Sequence, residues 1–518
     1  MSEIPSPIDF RANSRGVPPH IATSVKKATH HLLGTRATVV GYLGDEQWQL
    51  LRQAGHELRL HTINHLDAYL AQLEERVTAA GGHVHWARDG AEANRIVLEI
   101  AREHGVRRAV KVKSMATEEI GLNHALIDAG IETLETDLGE FIVQLAGAAP
   151  SHIIAPAVHM SKEGIAELFR TKLGVDAPAE PKRLTAIARA RLRDAFVAAD
   201  MGISGANFLI AETGTLVLVT NEGNGRMCTT LPPLHVAVVG IDKVVPDLAS
   251  LHVLLKLLPR SATGQKLTCY TSFITGPSAQ CGDGGPQEFH LVLLDNGRTR
   301  VLRDPQARET LLCIRCGACL NSCPVYNHVG GHAYGNPYSG PIGAILAPQL
   351  LGVQIAGNLP FASSLCGACA EICPVKIPIP EILIHLRRRA MEGDRIEGPV
   401  ASPVVAAGAA AGAFALSQPL LYEAGSQALR VVQAPLRRGT WLQSLPPPAD
   451  RWTTVRPMPA FDASFRQWWR TRTVEGRKQT RARRIRIAAL LGGAAVTAVA
   501  ALVTLRSRKG SNSHDIQP

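Results

Sequence analysis

The sequence predicts an α/β domain on a mainly parallel sheet, then a mostly helical two-cluster ferredoxin-like domain and a C-terminal helical tail. Three observations carry this. Strand-like and helix-like apolar patterns alternate between residues 60 and 297, and seven of the ten cysteines fall between residues 305 and 392. A run of 19 residues without a charge, 487–505, follows a dense cluster of Arg and Lys.

At 518 residues the chain is too long for one hydrophobic core, and about three domains of roughly 100 to 200 residues are expected. An apolar fraction of 46% with 19% charged residues is that of an ordinary globular protein, so burial suffices for folding. We divide the chain into a lead-in (1–59), the α/β domain (60–297), the cysteine-rich domain (305–392), an Ala/Pro-rich region (397–476) and a candidate membrane helix (487–505). Residues 1–45, with scattered Pro, Gly and charges, read as a loosely ordered lead-in.

The α/β pattern begins with Ile63, Leu66, Leu70, Leu73 and Val77, whose steps of three and four mark an amphipathic helix stopped by Gly81 and Gly82. Residues 83–87 read as a strand. Asp89, with Glu92 three residues on, caps a helix that buries Ile96, Val97 and Ile100 and ends at Gly105. The alternation continues with strands at 109–112, 131–136 and 153–157 and helices at 117–129 and 138–146. Residues 209–220 and 234–240 read as further strands.

The net charge of +11 is local: residues 470–509 hold eleven Lys or Arg against the single acid Glu475. The basicity therefore belongs to the tail, and nucleic-acid binding is not expected. The N-terminus, Met-Ser-Glu-Ile-Pro-Ser-Pro, has no basic region followed by an apolar run, so a cytoplasmic, reducing location is expected. There, close cysteine spacing argues for metal binding over disulfides.

Cys313, Cys316, Cys319 and Cys323 follow the bacterial-ferredoxin spacing and precede Pro324. Three closely spaced thiolates wrap one corner of a cubane and the fourth reaches a neighbouring cluster; structural zinc uses two separated pairs instead. The second motif is Cys366, Cys369 and Cys373 before Pro374, and Ser363 stands where its leading cysteine would be. By the crossed rule one 4Fe-4S cluster takes Cys313, Cys316, Cys319 and Cys373. A second, 4Fe-4S or 3Fe-4S, takes Cys323, Cys366 and Cys369. Its fourth position is open to three solutions: a three-iron form, Ser363 or solvent as ligand, or a donor from elsewhere. The plainer reading, favoured by the residues alone, makes Ser363 a loop residue and the cluster an ordinary relay. Cys228, Cys269 and Cys281 are scattered and read as small apolar residues, although one of them could supply the missing thiolate.

These motifs, Cys-Ile-Arg-Cys-Gly-Ala-Cys-Leu-Asn-Ser-Cys-Pro at 313–324 and Ser-Ser-Leu-Cys-Gly-Ala-Cys-Ala-Glu-Ile-Cys-Pro-Val-Lys at 363–376, resemble the lactate-utilisation iron-sulfur protein B family. So do Gly-Gly-His-Val-His-Trp-Ala (81–87), Val-Lys-Ser-Met-Ala-Thr-Glu-Glu-Ile (112–120), Ala-Glu-Thr-Gly-Thr-Leu-Val-Leu (211–218) and Asn-Glu-Gly-Asn-Gly-Arg-Met (221–227). The likeness spans residues 45–475. It implies a role in oxidising L-lactate to pyruvate within a three-component system. The implied partners are a cysteine-rich iron-sulfur subunit, akin to those of heterodisulfide reductase and glycolate oxidase, and a smaller α/β lactate-utilisation protein. It also implies an α/β domain similar to the sugar-phosphate isomerase and CoA-transferase fold.

No residue is assigned to lactate chemistry, and no flavin or nicotinamide fingerprint is present. Glu212 and Glu222 flank Gly-rich turns at strand ends, where acid-base residues and anion sites lie in open α/β sheets. The preferred, plainer reading is that Gly214, Gly223 and Gly225 only make tight turns. His83 and His85 read as structural. Lys113 and Ser114, at a strand end, are candidates for meeting a carboxylate or phosphate.

The segment 487–505 is long enough to cross a bilayer, with Arg477, Lys478, Arg481, Arg483, Arg484 and Arg486 before it and Arg506, Arg508 and Lys509 after it. We expect a single tail anchor holding the protein at the inner face of the membrane, near the quinone pool. The alternative is a basic helix lying on the membrane surface or on a partner. Two other functions compete with electron transfer: an α/β domain that is itself a CoA-transferase-like or sugar-phosphate-processing enzyme, and an iron-sulfur scaffold or sensor.

Overall fold

The computed structural model describes residues 6–278, 284–393, 403–447, 450, 453, 457–462, 465–472 and 478–490. The chain divides into two units, residues 1–400 and 401–518.

Among the described residues the first unit holds ten strands: β1 (His83–Ala87), β2 (Arg108–Lys111), β3 (Glu132–Glu135), β4 (Met201–Ser204), β5 (Phe208–Ile210), β6 (Thr215–Thr220), β7 (Leu234–Gly240), β8 (Val244–Val245), β9 (Tyr270–Ile274) and β10 (Glu288–Leu294). Six form a wholly parallel sheet in the order β1-β10-β7-β4-β2-β3. β7 shows why its sequence is apolar throughout. Val236 and Val238 pack on one face beside Ile96, Val97 and Ile100, while Ala237 and Val239 pack on the other beside Leu66, Leu70, Leu73 and Val77. Each fully buried Leu, Ile or Val of these faces adds roughly 1.5–3 kcal/mol. The chain leaves β2 toward β3 on one side and leaves β4 toward β7 on the other, so the winding reverses between two neighbouring strands.

Several elements match the sequence pattern: the helix Leu66–Ala79, although Ile63 belongs to the helix before it, the helix Gly90–Glu103 with the Asp89 carboxylate accepting from the Glu92 amide at 2.9 Å, the helix Leu138–Ala146, and β7. Others differ. The helix expected at 117–129 is broken at Gly121, φ +64°, into Met115–Glu119 and Leu122–Asp128. The strand expected at 209–220 is the hairpin of β5 and β6, turned at Gly214 (φ +69°). A Cβ on Gly214 would fall 2.7 Å from the Arg76 carbonyl carbon, so only glycine fits this turn. β5 and β6 belong to a second, four-stranded sheet, β8-β5-β6-β9. Residues 153–157 form no strand; Ile153 instead joins the core of the cysteine region.

From residue 6 onward the lead-in is also ordered, contrary to expectation. It holds the helices Phe10–Arg15, Pro19–Gly41 and Asp45–Asn64. In the third, Trp48, Arg52, Gly55, Arg59, Thr62 and Ile63 are buried at helical spacing, but half of that stripe is Arg or Gly, which hides the period. Gly55 lets it approach the helix Leu248–Ala262, since a Cβ there would lie 2.4 Å from Leu257 Cδ1. These helices share one core with the cysteine region, which is itself helical, with Gly340–Leu351 and Ile379–Glu392 its longest pieces.

In the second unit the helices Pro403–Ser417 and Pro419–Val432 precede a small three-stranded ribbon. Residues 478–490 are helical, and Arg483 Nε lies 2.7 Å from the Glu423 carboxylate. Among the described residues no helix is long and apolar enough to cross a membrane. Most of the candidate span, 491–505, lies outside them.

Candidate iron-sulfur centre and adjoining pocket

The two cysteine motifs are built on one backbone design. In the first, Arg315 (φ +59°) and Gly317 (φ +73°) turn the chain into the helix Ala318–Ser322, then Cys323 and Pro324. In the second, Leu365 (φ +55°) and Gly367 (φ +85°) lead into the helix Ala368–Ile372, then Cys373 and Pro374. The two short helices pack against each other.

Cys313, Cys316, Cys319 and Cys373 line one cavity, whose remaining walls include Ile153, Ile342, Ile377 and Ile379. Backbone amides point at the sulfurs: Arg315 N lies 3.4 Å from Cys313 Sγ, Ile377 N 3.4 Å from Cys373 Sγ, and Tyr326 N 3.5 Å from Cys323 Sγ. Cys323, Cys366 and Cys369 lie within electrostatic reach of one another. Burial, then the charges of Cys373 and Cys313, push the Cys316 thiol up; burial and then Cys323 push Cys369 up to about 12. Burial lifts Cys373 to about 11. Burial raises Cys316, Cys319 and Cys373, so these become thiolates only with a cationic centre among them. The sulfur-only donor set, the apolar walls and the amides aimed at sulfur all suit an iron-sulfur cluster. The first set is enclosed, whereas the second reaches the surface at the exposed Cys366.

Ser363 occupies the place of Cys313 in the repeated design. Its Oγ accepts the Leu365 amide at 3.1 Å, as Cys313 Sγ accepts that of Arg315. The other cysteines lie elsewhere. Cys228 is buried in an α/β core with its Sγ 3.3 Å from Thr136 Oγ1, Cys269 is exposed, and Cys281 lies outside the described residues.

A larger cavity, of about 320 Å³, lies at the carboxyl ends of β2, β4 and β7. Val112 to Met115 follow β2 into it and Gly205 to Asn207 follow β4. These two loops touch, for a Cβ on Gly205 would lie 2.4 Å from Ser114 Oγ. Lys113 and Glu222 line this cavity; Ser114, also on its wall, caps the helix Met115–Glu119 through the Thr117 amide. Glu212 is exposed and does not line it. His83 and His85 lie on the edge strand β1, where His85 Nε2 is 3.0 Å from His290 Nδ1 and His83 stacks on His290. With Glu288, His83 and His290 present three ligand atoms within 4.8 Å of one another.

Behind the cavity lies a buried ion network that sequence reasoning missed. Arg298 donates to Asp242 at 2.6 Å and to both Glu119 oxygens at 2.9 Å, and Tyr338 donates to Glu119 at 2.6 Å. Arg59 donates to the carbonyls of Val244 at 2.8 Å and Leu311 at 2.9 Å, and to that of Asp242. Lys243 Nζ is 3.7 Å from the Asp242 carboxylate and reaches the Cys313 carbonyl at 3.4 Å. Burial opposes the Asp242 charge, but Lys243, Arg298 and Arg315 hold its pKa well below the carboxylate range. Burial and Arg315 lower the Lys243 ammonium to about 7. The signal that was available was charge directly after an apolar strand, Gly240-Ile241-Asp242-Lys243, the place where open α/β sheets carry sites.

Fold and site together define an iron-sulfur protein in which a parallel α/β domain is joined to a ferredoxin-like dicluster region. Residues 70–294 match the LUD domain and residues 309–377 the 4Fe-4S dicluster domain. The chain is 45% identical over 455 residues to lactate utilization protein B of Shouchella clausii, covering 88% of this chain and 94% of that protein. It is 43% identical over 456 residues to the protein of that name in Bacillus cereus strain AH187, covering 88% and 95% of the two chains. The electron transport protein YkgF of Escherichia coli K12 is 41% identical over 469 residues, covering 89% and 95%. The chain belongs to the lactate utilization protein B family.

Proposed function

We propose that this chain is the electron-transfer subunit of a complex that oxidises L-lactate to pyruvate, acting with a cysteine-rich iron-sulfur subunit and a smaller α/β lactate-utilisation protein. The observation that carries this is the sorting of seven cysteines into an enclosed set and a set that surfaces at Cys366. The names of the relatives, lactate utilization and electron transport, point the same way. When bound, each cluster supplies a one-electron carrier, and two carriers match the two electrons released as a 2-hydroxy acid becomes a 2-oxo acid. The Cys313, Cys316, Cys319 and Cys373 sulfurs hold the inner cluster, shielded from water by isoleucines. Cys323, Cys366, Cys369 and the Ser363 hydroxyl hold the outer one, within reach of a partner. A basic tail would hold the protein at an anionic membrane surface, where quinone is found.

The test uses the three-protein complex purified without oxygen. L-Lactate should bring up the electron paramagnetic resonance signals of the reduced clusters in this subunit, and D-lactate or buffer should not. Signals that appear with dithionite but never with L-lactate would overturn the assignment.

A further inference from the structure

We propose that the cavity between the loops after β2 and β4 is a binding site for a small carboxylate, gripped by Arg315 from the cysteine loop and Lys113 from the α/β domain.

The topology selects the place. β2 and β4 are neighbours whose onward connections leave in opposite directions, and ligands of open α/β sheets bind in the crevice outside the strand ends at that point. Residues that follow both strands line the cavity.

The side chains select the charge. The Arg315 side chain is only 9% exposed, yet its Nε, Nη1 and Nη2 have no hydrogen-bond partner. Its guanidinium is held over the Tyr338 ring at 4.9 Å and its nearest carboxylate contact, to Asp242, is 3.6 Å long. A buried guanidinium with its donors unused is costly unless an acceptor arrives, and its planar fork fits a carboxylate with two parallel bonds. Among the described residues Lys113 makes no hydrogen bond or ion pair, although Asp137, Glu140 and Glu222 lie near enough to favour its charge; Lys111, two positions earlier, is fully engaged with Glu135 at 2.6 Å and Glu118 at 3.1 Å.

The walls also limit what can bind. Asp137 and Glu222 line the same cavity and would repel a doubly charged phosphate more strongly than a singly charged acid, while they can accept from a hydroxyl. That combination fits a singly charged acid bearing a hydroxyl or oxo group. Ile153, Ile314 and Arg315 line both this cavity and the cavity of the inner cysteines, so a bound acid would sit one residue's thickness from them. Binding itself is independent of the lactate reading, because it is measured without turnover.

The experiment is isothermal titration of the full, iron-loaded chain with L-lactate, pyruvate, lactamide and inorganic phosphate, with iron content measured on every sample. The acids should bind, and lactamide, which lacks the charge, should not. Arg315→Gln and Lys113→Gln should each weaken the acids tenfold or more. Lys113→Gln serves where Arg315→Gln loses iron, since Lys113 is remote from the cysteines in sequence. If neither acid binds, Arg315 only balances the charge of the cysteine set and the site is overturned. Phosphate binding in place of the acids, or acid binding unchanged in Lys113→Gln, overturns it equally. Reduction of the clusters by lactate within the complex would survive these failures, so the two proposals fall separately.

Discussion

Cys313 and Ser363 accept the same hydrogen bond in two copies of one loop: Cys313 Sγ takes the Arg315 amide at 3.4 Å and Ser363 Oγ the Leu365 amide at 3.1 Å. In each copy the donor residue has positive φ, 59° and 55°, although neither is glycine. Such a backbone is uncommon for non-glycine residues and persists where the surroundings demand it. The second loop therefore keeps the form of a ligand loop even though its leading residue is not a cysteine.

Ser363 variants should read out this equivalence. Ser363→Ala should lower bound iron from about eight toward about seven per chain and bring up the signal of an oxidised three-iron cluster. Ser363→Cys should retain the full iron content and lose it more slowly in air. Unchanged iron and spectra in Ser363→Ala would return Ser363 to an ordinary loop position. Mössbauer spectroscopy of the oxygen-free protein separates these outcomes.

Arg59 should act as a structural tie. It is 1% exposed and donates to the carbonyls of Asp242 and Val244 on one side and Leu311 and Leu312 on the other. The first pair follows β7 of the α/β domain, and the second immediately precedes Cys313. Replacing Arg59 by Met would leave these buried carbonyls without their donor, at a cost of about 3–5 kcal/mol. The expected outcome is a lower midpoint in anaerobic denaturation together with faster loss of iron. Equal midpoints would show that water replaces the guanidinium without penalty.

The same residue explains what the sequence could and could not disclose. β7 and the helix Leu66–Ala79 bury apolar side chains at periods of two and three to four, so their patterns survive in one dimension. The helix Asp45–Asn64 buries a stripe just as regular, but its partners are loop carbonyls, and the side chains that satisfy carbonyls are Arg52 and Arg59. Ile153 and Ile154 looked like a strand because loops that cover a dry cavity are as apolar as strands. The cysteine spacing was legible because all the ligands of a loop are local. The cavity was not, since Lys113, Lys243 and Arg315 converge only in space.

The stability of the α/β domain should depend on pH through His235. This ring, carried by β7, is fully buried, with Nε2 2.7 Å from Ser204 Oγ of β4 and Phe289 of β10 packed at 5.1 Å. Burial, with the nearby His290 adding to it, lowers its pKa to about 3. The folded protein thus keeps His235 neutral, whereas the unfolded chain binds a proton near pH 6.5. Unfolding takes up that proton at every pH between those values, so stability falls as pH drops below about 6.5, by up to about 1.4 kcal/mol per pH unit. Above about pH 7 the ring is neutral in both states and contributes no slope. His235→Gln offers the serine a neutral partner without a titrating ring. It should remove about three-quarters of a proton's worth of slope from the denaturation free energy between pH 5.5 and 6.5. The difference between the two proteins cancels any acid sensitivity of the clusters, which both share. A slope identical to the wild type would mean that His235 is charged, and solvated, in the folded state.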